Sequence, residues 1–253
     1  MNNSWPKPTV LAYHEVLPGR PTSRYTVSCD QFNAHLRFIL GCTADGAMRP
    51  EITFDDGHHS NVDYALSLLE RYGIKATFFL TAGLIENRNN FMRWSQVREL
   101  IQCGHSIGAH GWSHRFLPQC DNNDLRHELE FTKAYLEDKL GQPITDVSMP
   151  GGRVDSRVLR FASEAQYRSV YVSNPWVYEK PHPHLQVIGR AMIRNSIGLG
   201  RLGGLVGQTP CTRGIIRTEQ VIRASAQFIF GDSQYHRVWT ALANRSNLHS
   251  SLK

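Results

Sequence analysis

The feature that most constrains the fold of this 253-residue chain is a regular alternation of two patterns. Short apolar runs typical of buried strands, such as residues 9–14 and 51–54, alternate with segments whose apolar residues recur every three or four positions, such as residues 65–72. Strands that alternate with helices form parallel sheets, because each helix returns the chain to the end of the sheet where the previous strand began. The chain is therefore predicted to be an α/β protein with a parallel sheet.

The alternation gives about seven strand–helix units, expected to form one domain over residues 1–253. The predicted strands are 9–14, 51–54, 75–81, 105–109, 146–149, 169–173 and 187–193. The predicted helices are one capped by Asp30, then 65–72, 94–103, 125–140, 158–165, 218–230 and 236–243. The glycine-rich residues 195–217 are expected to form a loop. They contain a formal G-x-G-x-x-G, but no clear helix pattern begins there, so a dinucleotide site is not predicted.

Two adjacent carboxylates, Asp55 and Asp56, follow the predicted strand 51–54 in the run Thr-Phe-Asp-Asp-Gly. Side chains alternate across a strand, so one carboxylate can hold a metal while its neighbour stays free for proton transfer. Gly57 allows the chain to turn sharply. By itself, an Asp-Asp-Gly sequence is more typical of an ordinary turn.

Two histidines, His110 and His114, follow the predicted strand 105–109 in the run His-Gly-Trp-Ser-His. Their spacing of four places both on one face of a helical turn and suits two imidazoles on one divalent ion. The alternative is a pair of exposed histidines on a polar loop. One aspartate with two histidines is a three-ligand open site, which is typical of catalytic zinc.

With both motifs in order, the chain resembles the polysaccharide deacetylases, carbohydrate esterase family 4, whose domain is of the NodB type. The family motif T-F-D-D-G is matched at residues 53–57, and H-[S/T]-x-x-H is matched at 110–114 with Gly111 in place of Ser or Thr. The resemblance covers roughly residues 50–175. It implies a distorted (β/α) barrel with about seven parallel strands and catalytic groups at the strands' C-terminal ends. It also implies Asp55 as the catalytic base and a divalent metal, most simply Zn²⁺, on three ligands: Asp56, His110 and His114.

The third family motif, R-x-P-Y-G, is only partly matched, by residues 148–152 with the sequence Ser-Met-Pro-Gly-Gly. The resemblance assigns oxyanion binding to the backbone N–H of Gly151, next to Pro150. The family arginine that holds the catalytic aspartate is replaced by Ser148. Arg153 is near enough in sequence to substitute for it, or it is a surface residue.

The family's general-acid histidine comes from an L-x-H or L-x-x-H motif near the C-terminus, and neither sequence occurs after residue 175. Residues 10–15 at the other end read Val-Leu-Ala-Tyr-His-Glu, which is similar to the start of permuted deacetylases in this family. His14 is therefore predicted to be the general acid, in a barrel whose first and last strands are neighbours. The alternatives are that His14 is a core histidine and that His182 or His184 supplies the acid.

Composition limits the setting. Five cysteines form no C-x-x-C pair and suggest free thiols, and no signal peptide or membrane-spanning run is visible, so a cytoplasmic protein is expected. The net charge of the chain is +6. From residue 185 onward there are nine Lys and Arg residues and two acidic residues, a net charge of +7 for that part. One interpretation of this charge is a solvated basic surface, and the other is contact with an anionic sugar, a lipid phosphate or an anionic membrane face. Nucleic acid is a less suitable partner, because stacking aromatics do not alternate with the basic residues.

The function predicted from these features is removal of N-acetyl groups from an N-acetylated amino sugar or glycan by a metal-dependent hydrolase. A second possibility is a deformylase or deacetylase of a lipid-linked amino sugar at the membrane face. The third is a carbohydrate-binding relative without catalysis, for which Ser148 is the main argument.

Overall fold

The computed structural model describes residues 9–44, 48–175, 177–182 and 184–207. The strands in these residues are β1 (Val10–Tyr13), β2 (Glu15–Leu17), β3 (Thr26–Ser28), β4 (Glu51–Phe54), β5 (Ala76–Leu80), β6 (Ser106–Ala109), β7 (Asp146–Ser148), β8 (Ser169–Val172), β9 (Tyr178–His182), β10 (Leu185–Gly189) and β11 (Ala191–Met192). The α-helices are α1 (Cys29–Ala44), α2 (Ser67–Arg71), α3 (Trp94–Gln102), α4 (Asn122–Arg126), α5 (Thr132–Leu140), α6 (Ser156–Glu164) and α7 (Leu199–Val206). The helices predicted at 218–230 and 236–243 lie outside the described residues.

One chain segment closes the main sheet into a barrel. The strand order is β11, β1, β4, β5, β6, β7, β8, β10 and β9, and every pair is parallel except β10 with β9. Only Arg190 separates β10, which pairs with β8, from β11, which pairs with β1. The Arg190 amide donates to the Val172 carbonyl at 2.9 Å, and the Ile193 amide donates to the Ala12 carbonyl at 2.8 Å. Counting β10 and β11 as one segment, the barrel has seven parallel strands, which confirms the predicted fold class.

The barrel strands are apolar because helices cover the outside and side chains fill the inside. All four residues of β1 are buried. In the interior, the rings of Phe79 and Tyr171 lie 4.9 Å apart, and both belong to a buried cluster with Val10. Parallel strands place their C-terminal ends on one rim, so the residues that follow β1, β4, β6 and β7 meet there.

Helix α1 is capped by a different residue from the one predicted. The Ser28 hydroxyl accepts a hydrogen bond from the Gln31 amide at 3.1 Å, so Ser28 is the cap and Asp30 lies in the first turn. A carboxylate in the first turn also favours the helix, because the exposed N–H groups there carry partial positive charge.

The expectation of a loop across residues 195–217 is wrong for Leu199–Val206, which form α7. Leu202 is fully buried, and a Cβ added at Gly203 would lie 3.0 Å from the ring of Phe38 on α1. Glycine lowers intrinsic helix propensity, but tertiary packing of an apolar face can outweigh that cost. Gly203 thus serves the close approach of two helices.

Two predicted helices contain a π-helical turn that periodicity did not indicate. Asn61–Leu66 precede α2, and His127–Phe131 connect α4 to α5. Such turns accommodate one extra residue and are frequent at functional sites. Each turn carries one buried polar side chain, Asn61 in the first and Glu128 in the second.

The barrel lies in a compact unit that contains the described residues up to Val206. Within the described ranges, no helix combines the length and the apolar character needed to cross a bilayer. The expectation of a single domain over residues 1–253 stays a prediction.

Candidate metal centre and active site

Three side chains predicted as metal ligands converge at the C-terminal rim of the barrel. Asp56 follows β4, and His110 and His114 follow β6. One ligand atom from each lies within 4.8 Å of the other two. Asp56 Oδ1 is 3.3 Å from His110 Nε2 and 3.2 Å from His114 Nε2. The motif spacing and the folded geometry therefore bring the same three residues together.

The protonation of His110 suits it as a ligand. Its Nδ1 lies 2.9 Å from the Ser148 carbonyl oxygen, which can only accept, so Nδ1 carries the proton. Nε2 is then the ring nitrogen that faces Asp56 and is placed to bind a cation. Asp56 Oδ1 is buried and accepts no hydrogen bond among the described residues. Oxygen and nitrogen lone pairs that face each other in this way fit a shared cation.

The backbone at two of these residues is strained. Asp56 has a φ of 74° and His114 a φ of 64°, both in the left-handed region that disfavours residues with a Cβ. Such conformations persist where the surrounding structure imposes them, and they concentrate at functional sites. The strain therefore supports a role for Asp56 and His114 in the site.

The three ligands differ in exposure. The side chain of His110 is 2% exposed, whereas those of Asp56 and His114 are 31% and 41% exposed. The cluster is closed on the His110 side and open to solvent on the other. A centre open on one side leaves a position for a reactant, as catalytic rather than structural metal sites do.

Asp55 is held by a buried arginine. Arg190 Nη1 and Nη2 each donate to one carboxylate oxygen of Asp55, both at 2.7 Å. Asp55 is 2% exposed and Arg190 is fully buried. Burial alone would raise the pKa of Asp55, but the guanidinium outweighs it, and the pKa lies below its usual value. Asp55 therefore stays ionised and fixed in orientation.

The guanidinium of Arg190 has two further partners. It donates to Thr53 Oγ1 at 3.1 Å and to Ser148 Oγ at 2.6 Å. Ser148 is the residue that replaces the family arginine. A serine at this position is small enough to leave room for Arg190, and its hydroxyl accepts a hydrogen bond from the guanidinium.

Arg153 does not lie beside Asp55, as its position in the sequence had suggested. Its guanidinium lies over the ring of Phe116, 4.4 Å from the ring centroid. Arg190 escaped sequence reasoning, although a single arginine inside the apolar run 187–193 is a signal: a charge in a buried strand needs a buried partner.

The turn after β7 places Pro150 and Gly151 beside the histidine loop. A Cβ added at Gly111 would lie 3.7 Å from Pro150 Cγ. Gly151 is exposed, with a φ of 64°, and a Cβ there would lie 2.5 Å from Phe116 Cε1. The ring of Phe116 thus occupies space that a side chain at position 151 would need, so this position requires glycine on two counts.

His14 emerges next to Asp55. The register of β1 with β4 pairs Tyr13 with Phe54, and the Asp55 amide donates to the Tyr13 carbonyl at 2.9 Å. The residues that follow these pairs, His14 and Asp55, therefore leave adjacent strands at the same level. The predicted approach of the N-terminal strand to the site is consistent with this register.

The surroundings of the His14 ring set its protonation. Burial lowers the pKa of His14, and the carboxylates of Asp56 and Asp55 oppose that shift. The ring stacks on Tyr25 with 4.7 Å between centroids, and Asn61 Nδ2 donates to the His14 carbonyl at 2.6 Å. Its Nδ1 is buried and has no hydrogen-bond partner in the part of the chain that the structure describes.

The two alternative acids are placed differently. His184 is exposed, and its Nε2 lies 3.0 Å from the Ser163 hydroxyl on α6. His182 lies in β9, and its side chain is outside the described part of the structure. Neither gains support over His14 from these positions.

Comparison with known proteins gives a match to one family model. The model, described as polysaccharide deacetylase, matches residues 48–170. The peptidoglycan-N-acetylglucosamine deacetylase of Bacillus cereus is 31% identical over 120 residues, which are 47% of this chain and 54% of that protein. The protein YxkH of Bacillus subtilis is 26% identical over 183 residues, 66% of this chain and 64% of its own length. The chain thus spans between about half and two thirds of these curated relatives.

Solved structures share the fold. The Streptococcus pyogenes deacetylase PplD, solved in complex with acetate, superimposes with a TM-score of 0.67 at 21% identity, covering 79% of this chain and 97% of that one. At such low identity the likeness shows the fold alone.

Proposed function

We propose that this chain, which matches the polysaccharide deacetylase family model over residues 48–170, is a metal-dependent hydrolase that removes N-acetyl groups from an N-acetylated amino sugar or glycan. The observation that carries this proposal is the convergence of Asp56, His110 and His114 immediately beside the ion pair of Asp55 and Arg190. Ligands without a base would suit a binding protein, whereas this pairing suits hydrolysis.

Three residues would hold the metal: Asp56, His110 and His114. Their one-oxygen, two-nitrogen set suits Zn²⁺. A divalent metal at such a site supplies Lewis acidity and lowers the pKa of a water molecule to about 7. Amide hydrolysis needs this help, because the amide carbonyl is a poor electrophile and the amine is a poor leaving group.

Asp55 is proposed as the general base. It adjoins Asp56 in the chain but faces Arg190, so it is free of the ligand set. Arg190 keeps the carboxylate ionised and orients both of its oxygens. A second lone pair on each oxygen remains to receive the proton of the attacking water.

Two other groups are proposed to act on the substrate. The backbone N–H of Gly151, next to Pro150, would stabilise the negative charge that develops on the carbonyl oxygen. His14 would protonate the departing nitrogen from the N-terminal strand. This assignment treats the chain as a permuted member of the family.

The proposal is tested by acetate release from N-acetylated glucosamine oligomers after the purified protein is loaded with Zn²⁺. Release is expected to stop on chelation and to return when Zn²⁺ is restored. His110→Ala and His114→Ala should each lose most bound metal. Asp55→Asn should retain it and lower turnover about 10²–10⁴-fold. Zn²⁺ bound in full by both histidine variants would overturn the site assignment.

A lipid-linked amino sugar, carrying either an acetyl or a formyl group, is the second candidate substrate. Its support is the basic charge from residue 185 onward, of which Arg190 must be subtracted because it is buried against Asp55. Contact with an anionic membrane or lipid phosphate would make KM rise with ionic strength, since exposed charges are screened over about 8–10 Å. Formate release, or a salt-dependent KM, would favour this substrate over a neutral glycan.

A carbohydrate-binding relative without catalysis is less well supported. The argument for it was the loss of the family arginine at Ser148. Arg190 occupies the place beside Asp55 from another strand, and Ser148 accepts a hydrogen bond from it. The substitution at 148 therefore no longer indicates a degenerate site.

A further inference from the structure

Glu128 is a buried carboxylate that lies beneath the loop carrying the two histidines. It belongs to the π-helical turn between α4 and α5, and its side chain is 3% exposed. Neither the T-F-D-D-G motif nor the histidine motif includes it. A buried acid normally requires compensation by hydrogen bonds or an opposite charge, so its partners indicate its role.

Among the described residues, the hydrogen bonds of its side chain all go to the histidine loop. The amides of Trp112 and Ser113 donate to Glu128 Oε2 at 2.7 and 3.1 Å. The Ser113 hydroxyl donates to the other oxygen, Oε1, in a very short contact. Three donors from two successive residues therefore fix the backbone between His110 and His114.

Gly111 makes the approach of this carboxylate feasible. A Cβ at position 111 would lie 2.7 Å from Glu128 Oε2, and the residue has a φ of 73°. The family motif H-[S/T]-x-x-H has Ser or Thr at this position, and the Cβ of either residue would collide with the Glu128 carboxylate. The glycine at 111 and the acid at 128 are thus two parts of one arrangement.

We propose that Glu128 is a positioning residue that holds the His110–His114 loop in its metal-binding conformation. The inference rests on the proposed metal site. His114 has a φ of 64°, a conformation that the isolated loop would tend to leave. Hydrogen bonds from Trp112 and Ser113 to a fixed buried carboxylate oppose that relaxation, so the two ring nitrogens are already aligned before metal binds.

The test measures metal affinity directly. Metal-stripped full-length protein is titrated with Zn²⁺ against a chromophoric chelator, and with Co²⁺ to record the visible absorption of the bound ion. Glu128→Ala is expected to weaken Zn²⁺ binding about 10–100-fold, the usual effect of removing groups that orient metal ligands. Glu128→Gln should lose less, because its amide oxygen can still accept from both backbone N–H groups.

A matched control is available in the same turn. Glu130 is exposed, so Glu130→Gln should leave the Zn²⁺ affinity and the Co²⁺ spectrum unchanged. Ser113→Ala removes only the hydroxyl donor and should weaken binding by a smaller factor than Glu128→Ala. A folded Glu128→Ala protein with wild-type Zn²⁺ affinity would overturn the proposal.

If Glu128→Ala does not fold, the decision passes to Glu128→Gln and Ser113→Ala. Wild-type affinity and an unaltered Co²⁺ spectrum in both would also reject the positioning role. Failure of the proposed function looks different: the wild-type protein would bind Zn²⁺ in a Glu128-dependent manner and release no acetate from any substrate.

Discussion

At the scale of single residues, the ion pair of Asp55 with Arg190 bears on both the proposed chemistry and the stability. Both side chains are buried, and both carboxylate oxygens accept from the guanidinium. Removing one partner of such a pair leaves an uncompensated charge in the interior, which is costlier than removing both. A substitution of Asp55 or Arg190 alone is therefore expected to be more destabilising than substitution of both.

Arg190→Met is expected to lower the free energy of unfolding by about 3–5 kcal/mol, because the Asp55 carboxylate is left buried without its partner. The double variant Arg190→Met with Asp55→Asn should recover part of the loss. Denaturant unfolding of the metal-free protein measures both. Arg153→Met is the control, and an equal loss from it would mean that Arg190 has no special place in the structure.

His14 can be tested through the leaving group. A general acid matters most when the departing group is a poor one, so His14→Ala should slow amide hydrolysis about 10²–10⁴-fold. Hydrolysis of 4-nitrophenyl acetate, whose leaving group needs no proton, should change far less, and bound Zn²⁺ should be retained. Equal losses on both substrates would indicate that His14 shapes the site without donating a proton.

The sequence indicated the candidate ligands but not Arg190, for a physical reason. Asp55, Asp56 and His110 immediately follow strands, and parallel strands bring such positions to one rim. Arg190 lies 135 residues from Asp55 in the chain. The apolar pattern around it predicted a strand, yet the position of that strand in the barrel depends on pairing that no local pattern contains.

At the scale of elements, turns determine where the reactive groups lie. The 150–152 turn needs glycine at 151 for its backbone and for the ring of Phe116. Such details escape periodicity, because they depend on what packs against the turn. The apolar periodicity of the sequence did not predict the π-helical turns or α7 for the same reason. These elements are stabilised by burial against their neighbours rather than by local propensity.

Gly151→Ala separates the two demands when it is compared with Gly141→Ala. Both glycines have similar positive φ values, 64° and 66°, but only the Cβ at 151 meets a neighbour. Each change should cost about 1–2 kcal/mol of stability from the left-handed backbone, and Gly151→Ala should cost more because its Cβ also meets Phe116. Gly151→Ala should also displace the proposed oxyanion donor and lower kcat about 10²-fold.

Thermal unfolding and kcat measured on both glycine variants give the answer. Gly141 caps the C-terminus of α5, and a Cβ there would meet no neighbouring atom within 4 Å. Gly141→Ala should therefore keep the wild-type kcat. A wild-type kcat in Gly151→Ala, measured on a variant that shows the expected loss of stability, would contradict the oxyanion role of Gly151.

At the scale of the whole molecule, the barrel depends on contacts between distant parts of the chain. The segment 185–193 must find β8 on one side and β1 on the other. The three candidate metal ligands, in contrast, come from residues 56–114 and follow β4 and β6, which only β5 separates in the sheet. We therefore expect the half that carries the candidate metal ligands to assemble before the barrel is closed.

The closing segment has a consequence for folding kinetics. Contacts of long sequence separation form late, because the entropy of loop closure opposes them until the rest is in place. Arg190→Met should then leave the folding rate nearly unchanged and accelerate unfolding, as expected for a residue with a φ-value near zero. Phe78→Leu, in a strand that pairs with neighbours close in sequence, should instead slow folding.

Stopped-flow refolding and unfolding over a range of denaturant concentrations distinguish these cases. A slower folding arm for Arg190→Met would show that closure begins the process. If closure comes last, the residue that orients the proposed catalytic carboxylate also determines how long a native molecule survives before it unfolds. Kinetic stability and catalytic competence would then depend on the same buried ion pair.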